Sequence, residues 1–272
     1  MNSRSMIVMP GVAFLAVSAM LLSSLAPAAA ACQTPQAPTH TPVQPATSPN
    51  GGTGSGMGRL AIDPKAASAP RTLAPYFVPA VSLPKAPDSD GFLRRWLLLE
   101  PIDKPNRSNN VFVGAYVRKT LGAEYFPDQF TVVPKNGDKV KVGDQDLAWH
   151  ALDSTHFDVK LFRFAYGLNK QTYGVIFWAV TVINSPREMK NVRMAVGSNS
   201  ASMWWLNGKD AVDLFDDRRM VMDDVLSKPL TLNKGENIVR GAVINGPGLS
   251  DFCVRFVDEN GQPVKDLTTS FR

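Results

Sequence analysis

Beyond residue 90 the chain alternates short apolar runs with glycine-bearing turns. The runs at 92–100 (FLRRWLLLE), 129–134 (QFTVVP), 159–165 (VKLFRFA), 173–184 (YGVIFWAVTVIN) and 191–198 (NVRMAVGS) predict strands. So do those at 202–207 (SMWWLN), 228–232 (KPLTL), 237–245 (NIVRGAVIN) and 252–258 (FCVRFVD). Asn136-Gly137, Asn207-Gly208, Lys234-Gly235, Gly246-Pro247-Gly248 and Asn260-Gly261 supply turns between them. One stretch has helical spacing instead: Phe112, Ala115, Tyr116 and Lys119, after Ser108 or Asn109 as cap and before Gly122. Many short strands and one short helix predict an all-β fold, a jelly-roll-like β-sandwich. Neighbouring side chains on a strand point to opposite faces, which splits the tryptophan pair. Trp204 and Leu206 share the core face with Ser202, whereas Met203 and Trp205 take the other face. Trp205 then needs a covering loop, the N-terminal segment or a ligand.

The first 90 residues have a different character. Arg4, the apolar run at 6–25 and the small residues of APAAAAC read as a signal peptide over residues 1–31. The run is nearly long enough to span a bilayer, but no basic stop-transfer cluster follows it. Cys32 ends a tolerable lipobox, with Ala29 where a larger aliphatic residue is usual, so lipidation at Cys32 competes with ordinary cleavage after Ala30 or Ala31. Residues 32–58 hold Pro, Thr, Ser, Gly and Gln without an aromatic and predict a disordered tether. Residues 59–90 stay proline-rich but carry PYFVPAVSLP, whose Tyr76, Phe77, Val78, Val81 and Leu83 suit an extended segment packed on the domain. Residues 91–272, roughly 180 in number, are ample for one core. Export to the periplasm, to the outer membrane as a lipoprotein, or to the medium is therefore expected, with membrane contact only through a lipid on Cys32.

Charge and cysteines add limits. The formal charge is +5, and loss of Arg4 with the leader leaves +4, scattered without a basic run, so no nucleic-acid partner is indicated. Besides Cys32 there is only Cys253, between Phe252 and Val254, which reads as a buried small residue and not a reactive thiol. No cofactor motif is present. His150 and His156, with Asp153 and Asp158 near them, match no common metal spacing. Ser154, His150 or His156, and Asp153 or Asp158 could compose a nucleophilic triad, but they lie close in sequence and the segment reads equally as a polar turn. Asp216, Asp217, Asp223 and Asp224 flank Arg218 and Arg219, a pattern of a solvated ion-pair loop more than of a carboxylate pair facing across a cleft.

The segment from about 145 to 267 resembles β-sandwich modules of secreted polysaccharide-degrading proteins. Gly197, Ser198 and Trp205-Leu206-Asn207-Gly208-Lys209 match their first motif, and Leu232, Gly235 and Asn237 the second. Phe252, Arg255, Phe256, Asp258, Gly261 and Pro263 match the third. From PYFVPAVSLP onward the chain is similar to secreted acetylxylan esterase-like proteins of Gram-negative bacteria, which implies plant cell-wall polysaccharide as the setting. Protective-antigen-type sugar-binding domains share the first motif but place two calcium-ligating aspartates where this chain has Asn199 and Ser200, so that resemblance implies no tight calcium site.

The expected function is a non-catalytic module that binds a xylan-like polysaccharide or a cell-surface protein. Trp205, Asn199, Asn207, Arg218 and Tyr173 are the candidate ligand-binding residues. Two alternatives stand beside it: an acetylxylan esterase-like hydrolase using Ser154, His150 and Asp153, and a structural envelope lipoprotein.

Overall fold

The computed structural model describes residues 71–106 and 108–271; the expected leader, Cys32, the tether and the start of the proline-rich segment lie outside the described residues. Among these described residues are fourteen strands and two α-helices. The strands are β1 (Phe77–Pro79), β2 (Arg95–Leu99), β3 (Ile102–Asp103), β4 (Lys139–Val142), β5 (Gln145–Ser154), β6 (Val175–Ser185) and β7 (Met189–Ser198). They continue as β8 (Ala201–Leu206), β9 (Lys209–Leu214), β10 (Val225–Leu226), β11 (Leu230–Leu232), β12 (Gly235–Asn245), β13 (Phe252–Val257) and β14 (Thr268–Ser270). The helices are α1 (Gly114–Leu121) and α2 (Leu161–Gly167).

Two antiparallel sheets form the all-β sandwich. The larger runs β1-β5-β2-β6-β12-β8-β9, with β3 and β14 paired to β6 and β4 paired to β5. The smaller is built around β7, which pairs with β10, β11 and β13. β6 and β12 hold the large sheet together through eleven paired positions, from Gly235 opposite Ser185 to Asn245 opposite Val175.

The large sheet is apolar on both faces. Trp96, Phe177, Trp204, Val243, Phe252 and Phe256 fill the space between the sheets. On the opposite face Leu97, Trp149, Trp178, Met203, Trp205 and Ile244 form a second core, under Phe112, Val117, Leu121 and Phe126. The strand period places Trp204 and Trp205 in different cores, and both are buried. Gly241 makes room for the first of them: a Cβ there would lie 2.2 Å from the Trp204 ring. Trp205 stacks on Trp178 at 5.6 Å and 11°, beneath the edge of Phe130. Burying a large apolar side chain stabilises by about 1.5–3 kcal/mol, so the second core is a main contributor to the fold.

The cover over that second core corrects two expectations. Residues 129–134 form no strand; Asp128 is in the left-handed region at φ 60°, and the buried Gln129 side chain donates to the Ala123 carbonyl and accepts from the Tyr125 N–H. This turn presses Phe130 onto the two stacked indoles. Residues 159–165, expected as a strand, run instead into α2 at Leu161–Gly167, so the described residues hold two α-helices and not one. Leu161, Phe164 and Ala165 are its buried residues, which is helical and not strand spacing.

The N- and C-terminal parts of the described chain meet on one buried ion pair. Arg95 donates to both oxygens of Asp153, at 2.8 and 3.0 Å. Lys85 Nζ lies 3.1 Å from the same carboxylate, Arg95 also donates to the Leu83 carbonyl, and its guanidinium sits over the Phe271 ring. Burial would raise the Asp153 pKa, but hydrogen bonds from Arg95 and Lys85 outweigh it and hold the carboxyl below its ordinary value of 3.8. A depressed folded pKa supplies stability that is present above the unfolded value and lost as pH falls through the folded one. Asp153→Asn is therefore expected to cost about 3–5 kcal/mol in urea unfolding at neutral pH, because Arg95 stays buried without its carboxylate. The deficit should shrink as pH is taken below 3.8, and one that is constant with pH would contradict this role.

Candidate functional site

The five candidate ligand-binding residues do not converge. Trp205 is a core residue, covered by Phe130, and has no open face for a sugar ring. Asn207 lies at the β8–β9 turn with φ 51° and is committed to the fold. Its Nδ2 donates to Asn237 Oδ1 at 2.9 Å, and its Oδ1 accepts from the Ile238 N–H at 2.8 Å. The fully buried Asn237 also accepts from the Asn233 N–H and donates to the Asn233 and Gly235 carbonyls. The asparagines of the first two motifs are thus partners in one hydrogen-bonded knot that pins the β8–β9 and β11–β12 turns together.

Asn199, Arg218 and Tyr173 lie at the other end of the strands, where β7, β12 and the β9 side of the sheet end and β6, β8 and β13 begin. The loop at 246–251 joins them. Asn199 donates from its N–H to the Asp251 carbonyl at 2.9 Å and from Nδ2 to the Leu249 carbonyl at 3.3 Å, while its Oδ1 accepts from the Met220 N–H. Asn245 Nδ2 donates to the Thr172 carbonyl at 3.0 Å, beside Tyr173, and its Oδ1 accepts from Ser200 Oγ. The Phe162 N–H donates to the Ser250 carbonyl. Arg218 is bound through Nε to Asp224 at 2.9 Å, and Arg255 pairs with Asp223, so these aspartates hold arginines. Gly197 allows the 219–224 loop to lie flat on β7: a Cβ there would meet the Val221 carbonyl oxygen at 1.9 Å.

Open aromatic surface occurs at this same end. Tyr173 is 45% exposed, and it is the one aromatic among the exposed large apolar side chains of the described residues. Its ring lies 5.8 Å from Phe162, which stacks on Tyr166 at 6.3 Å and 9°. Both partners are half-buried, and Arg71 covers Tyr166 from the rim. Beside Tyr173 is a cleft of about 410 Å³ lined by Asp103, Pro105, Asn106, Gln171 and Gly174. Phe162 and Tyr166 are not among the sequence candidates: Phe162 falls in the run 159–165, which reads as a strand, and Tyr166 falls just after it. The i, i+3, i+4 spacing of Leu161, Phe164 and Ala165 is the signal for a helix that carries both.

Beneath the face lies a buried charge cluster. Lys160 Nζ is 2.6 Å from Asp158 and 3.1 Å from Asp251. Burial pushes the Asp251 carboxyl above its ordinary value against the pull of Lys160. Burial also pushes the Cys253 thiol up to about 12, which leaves it protonated and unreactive at neutral pH.

The proposed triad is not assembled. Ser154 Oγ donates to the His156 and Asp158 carbonyls at 2.9 and 2.8 Å, closing the turn after β5. His150 is four residues away on the same strand, about 13 Å along it, and its Nε2 faces Glu100 at 3.3 Å. Asp153 points to the opposite face and holds Arg95. The positions matched to calcium ligands do not fit the ion either. Asn199 and Ser200 bring no charge, the Asn199 carboxamide oxygen already accepts from Met220, and no group of three His, Cys, Asp or Glu side chains converges among the described residues.

No protein-family model matches this chain, and no curated protein matches it. Solved structures that superimpose on it include a PA14 sugar-binding domain from an RTX adhesin, at TM-score 0.37 and 10% identity over 66% of this chain and 100% of that one. The PA14 domain of the antifreeze protein MpAFP gives 0.36 and 9% identity over 64% and 89%. A β-glucosidase from Kluyveromyces marxianus gives 0.31 and 14% identity, over 62% of this chain and 15% of the enzyme. Superpositions this loose leave the functional reading to the chain's own residues.

The two ends of the strands should respond differently to substitution. Asn237→Ala is expected to lower unfolding free energy by about 1–3 kcal/mol, since the two turns lose the buried carboxamide that joins them. Tyr173→Ala should stay within about 0.5 kcal/mol of the parent in the same urea titrations. A large loss in Tyr173→Ala would mark that ring as structural.

Proposed function

We propose that this chain is an exported, non-catalytic module that binds a plant cell-wall polysaccharide of the xylan type. The observation that carries the reading is the Tyr173–Phe162–Tyr166 strip, with its polar cleft at one end of the sandwich. Sugar rings present apolar C–H faces that stack on aromatic rings, while amide and carboxylate groups pair with their hydroxyls. Tyr173 is the open platform, and Asp103 and Gln171 offer acceptors beside it. Arg218 and Asn199 act as positioning residues that shape the adjoining loops, because their own polar atoms are engaged. The hydrolase alternative loses support from the separation of Ser154, His150 and Asp153.

A protein partner at the cell surface is the second reading. Val221, Met222 and Leu249 favour it, since each is more than half exposed on neighbouring loops of the same end. Attachment through a lipid on Cys32 suits either partner, and Cys32→Ser should move the protein from the membrane fraction to the soluble fraction if the lipid is there.

Affinity electrophoresis separates the two readings. Xylan in the gel should retard the full chain, and Tyr173→Ala should weaken that binding about tenfold, equivalent to about 1.4 kcal/mol. Asn207→Ala should leave the affinity of the folded fraction unchanged. Unaltered mobility in xylan and in related glucans would remove the polysaccharide reading and leave the protein partner.

A further inference from the structure

A second cavity lies at the opposite end of the strands from Tyr173. It has a volume of about 290 Å³ and is lined by Phe130, Thr131, Asn207, Gly208, Ile238 and Arg240. Thr131, Asn207 and Gly208 form an exposed rim, and Phe130 and Ile238 are half-buried walls. Arg240 is the buried lining residue, 2% exposed, so the cavity narrows from a polar rim to a guanidinium.

That guanidinium is out of place in a folded core. Arg240 sits on β12 with Trp205 of β8 and Val180 of β6 directly opposite it, on the sheet face that carries the second core. Arginine is always a donor and never an acceptor, so a buried one requires carboxylate, carbonyl or water partners. Among the described residues the Arg240 side chain has no hydrogen-bond or ion-pair partner, and its Nη1 is fully enclosed. Burial lowers its pKa to about 10, with no neighbouring carboxylate opposing the shift. The contrast with Arg95 is direct, because that equally buried guanidinium is met by both oxygens of Asp153. No residue lining the cavity is acidic.

We propose that this cavity binds a small monocarboxylate with a ring-sized apolar body, its carboxylate paired with Arg240 and its body held between Phe130 and Ile238. A planar guanidinium fork matches the two oxygens of a carboxylate, and a single cation balances a single negative charge. The volume is at the lower end of small-molecule sites, which admits one ring and excludes an oligosaccharide. The site is separate from the Tyr173 strip and does not depend on the polysaccharide reading.

Benzoate, cyclohexanecarboxylate and benzamide are the probes, tested on the full chain by saturation-transfer NMR and by thermal shift. The two carboxylates should give saturation transfer and raise Tm, and the uncharged benzamide should do neither. Arg240→Met should abolish both signals while the ligand-free protein keeps its fold, since an apolar side chain replaces an unpaired charge. Ile238→Asp, which sets a carboxylate on the cavity wall, should abolish them independently should Arg240→Met fail to fold. Absence of binding by both carboxylates at millimolar concentration overturns the proposal. So does equal binding of benzamide, or benzoate binding that persists in either folded variant.

Discussion

The large sheet is buried on both faces, and the rest of the structure follows from covering it. β6 is buried at ten of its eleven positions. Its inner face packs on the small sheet, as in any sandwich. Its outer face carries Trp178 alongside Trp205 and Trp149, and so much aromatic surface cannot be left in water without inviting association. The chain between β3 and β4 meets that need. α1 contributes only Val117 and Leu121 as apolar buried residues, and Phe112, Phe126 and Phe130 from the flanking turns complete the cover. Irregular backbone does here what a third sheet would do elsewhere.

The motif resemblance has the same physical root. Asn207 and Asn237 bond to each other, Phe252 and Phe256 are core, and Asp258 accepts from the Asn260 and Gln262 N–H groups to shape its turn. Arg255 ties β13 to the 219–224 loop through Asp223. These matched positions each solve a turn or a packing problem. Such residues travel with a sandwich whatever it binds, and they say little about a ligand.

Sequence patterning was a good guide wherever strand period and turn chemistry agreed. The strands over 173–184, 191–198, 202–207, 237–245 and 252–258 are present with bounds shifted by a few residues. The helix ends at Gly122 as its spacing predicts but starts only at Gly114, because Ser108 caps a separate 3-10 turn at Asn109–Val111 that leaves Phe112 outside the helix. The β4–β5 hairpin is outside the expected strands, although Lys139-Val140-Lys141-Val142 alternates and Gly143 turns at φ 60°. Residues 159–165 misled because Val159, Leu161 and Phe164-Ala165 satisfy either period over so short a span. Read as a helix that runs on to Gly167, the same segment brings Phe162 and Tyr166, most of the aromatic strip, onto one element. Trp205 misled for a different reason: a polar-faced sheet would have left it open, and whether a sheet face is covered is decided by segments far away in the chain.

Double burial of the large sheet also limits how a polymer would lie under the proposed polysaccharide reading. With neither broad face of that sheet available, a glycan seated on the proposed Tyr173 strip would pass across the strand tips instead of lying in register along the large sheet. A crossing of that kind touches only a few sugar units, set by the reach from Tyr173 to Tyr166. Discrimination would then rest on the shape of a short stretch or a chain terminus, and tight retention on a long polymer would require several copies of the module acting on it at once.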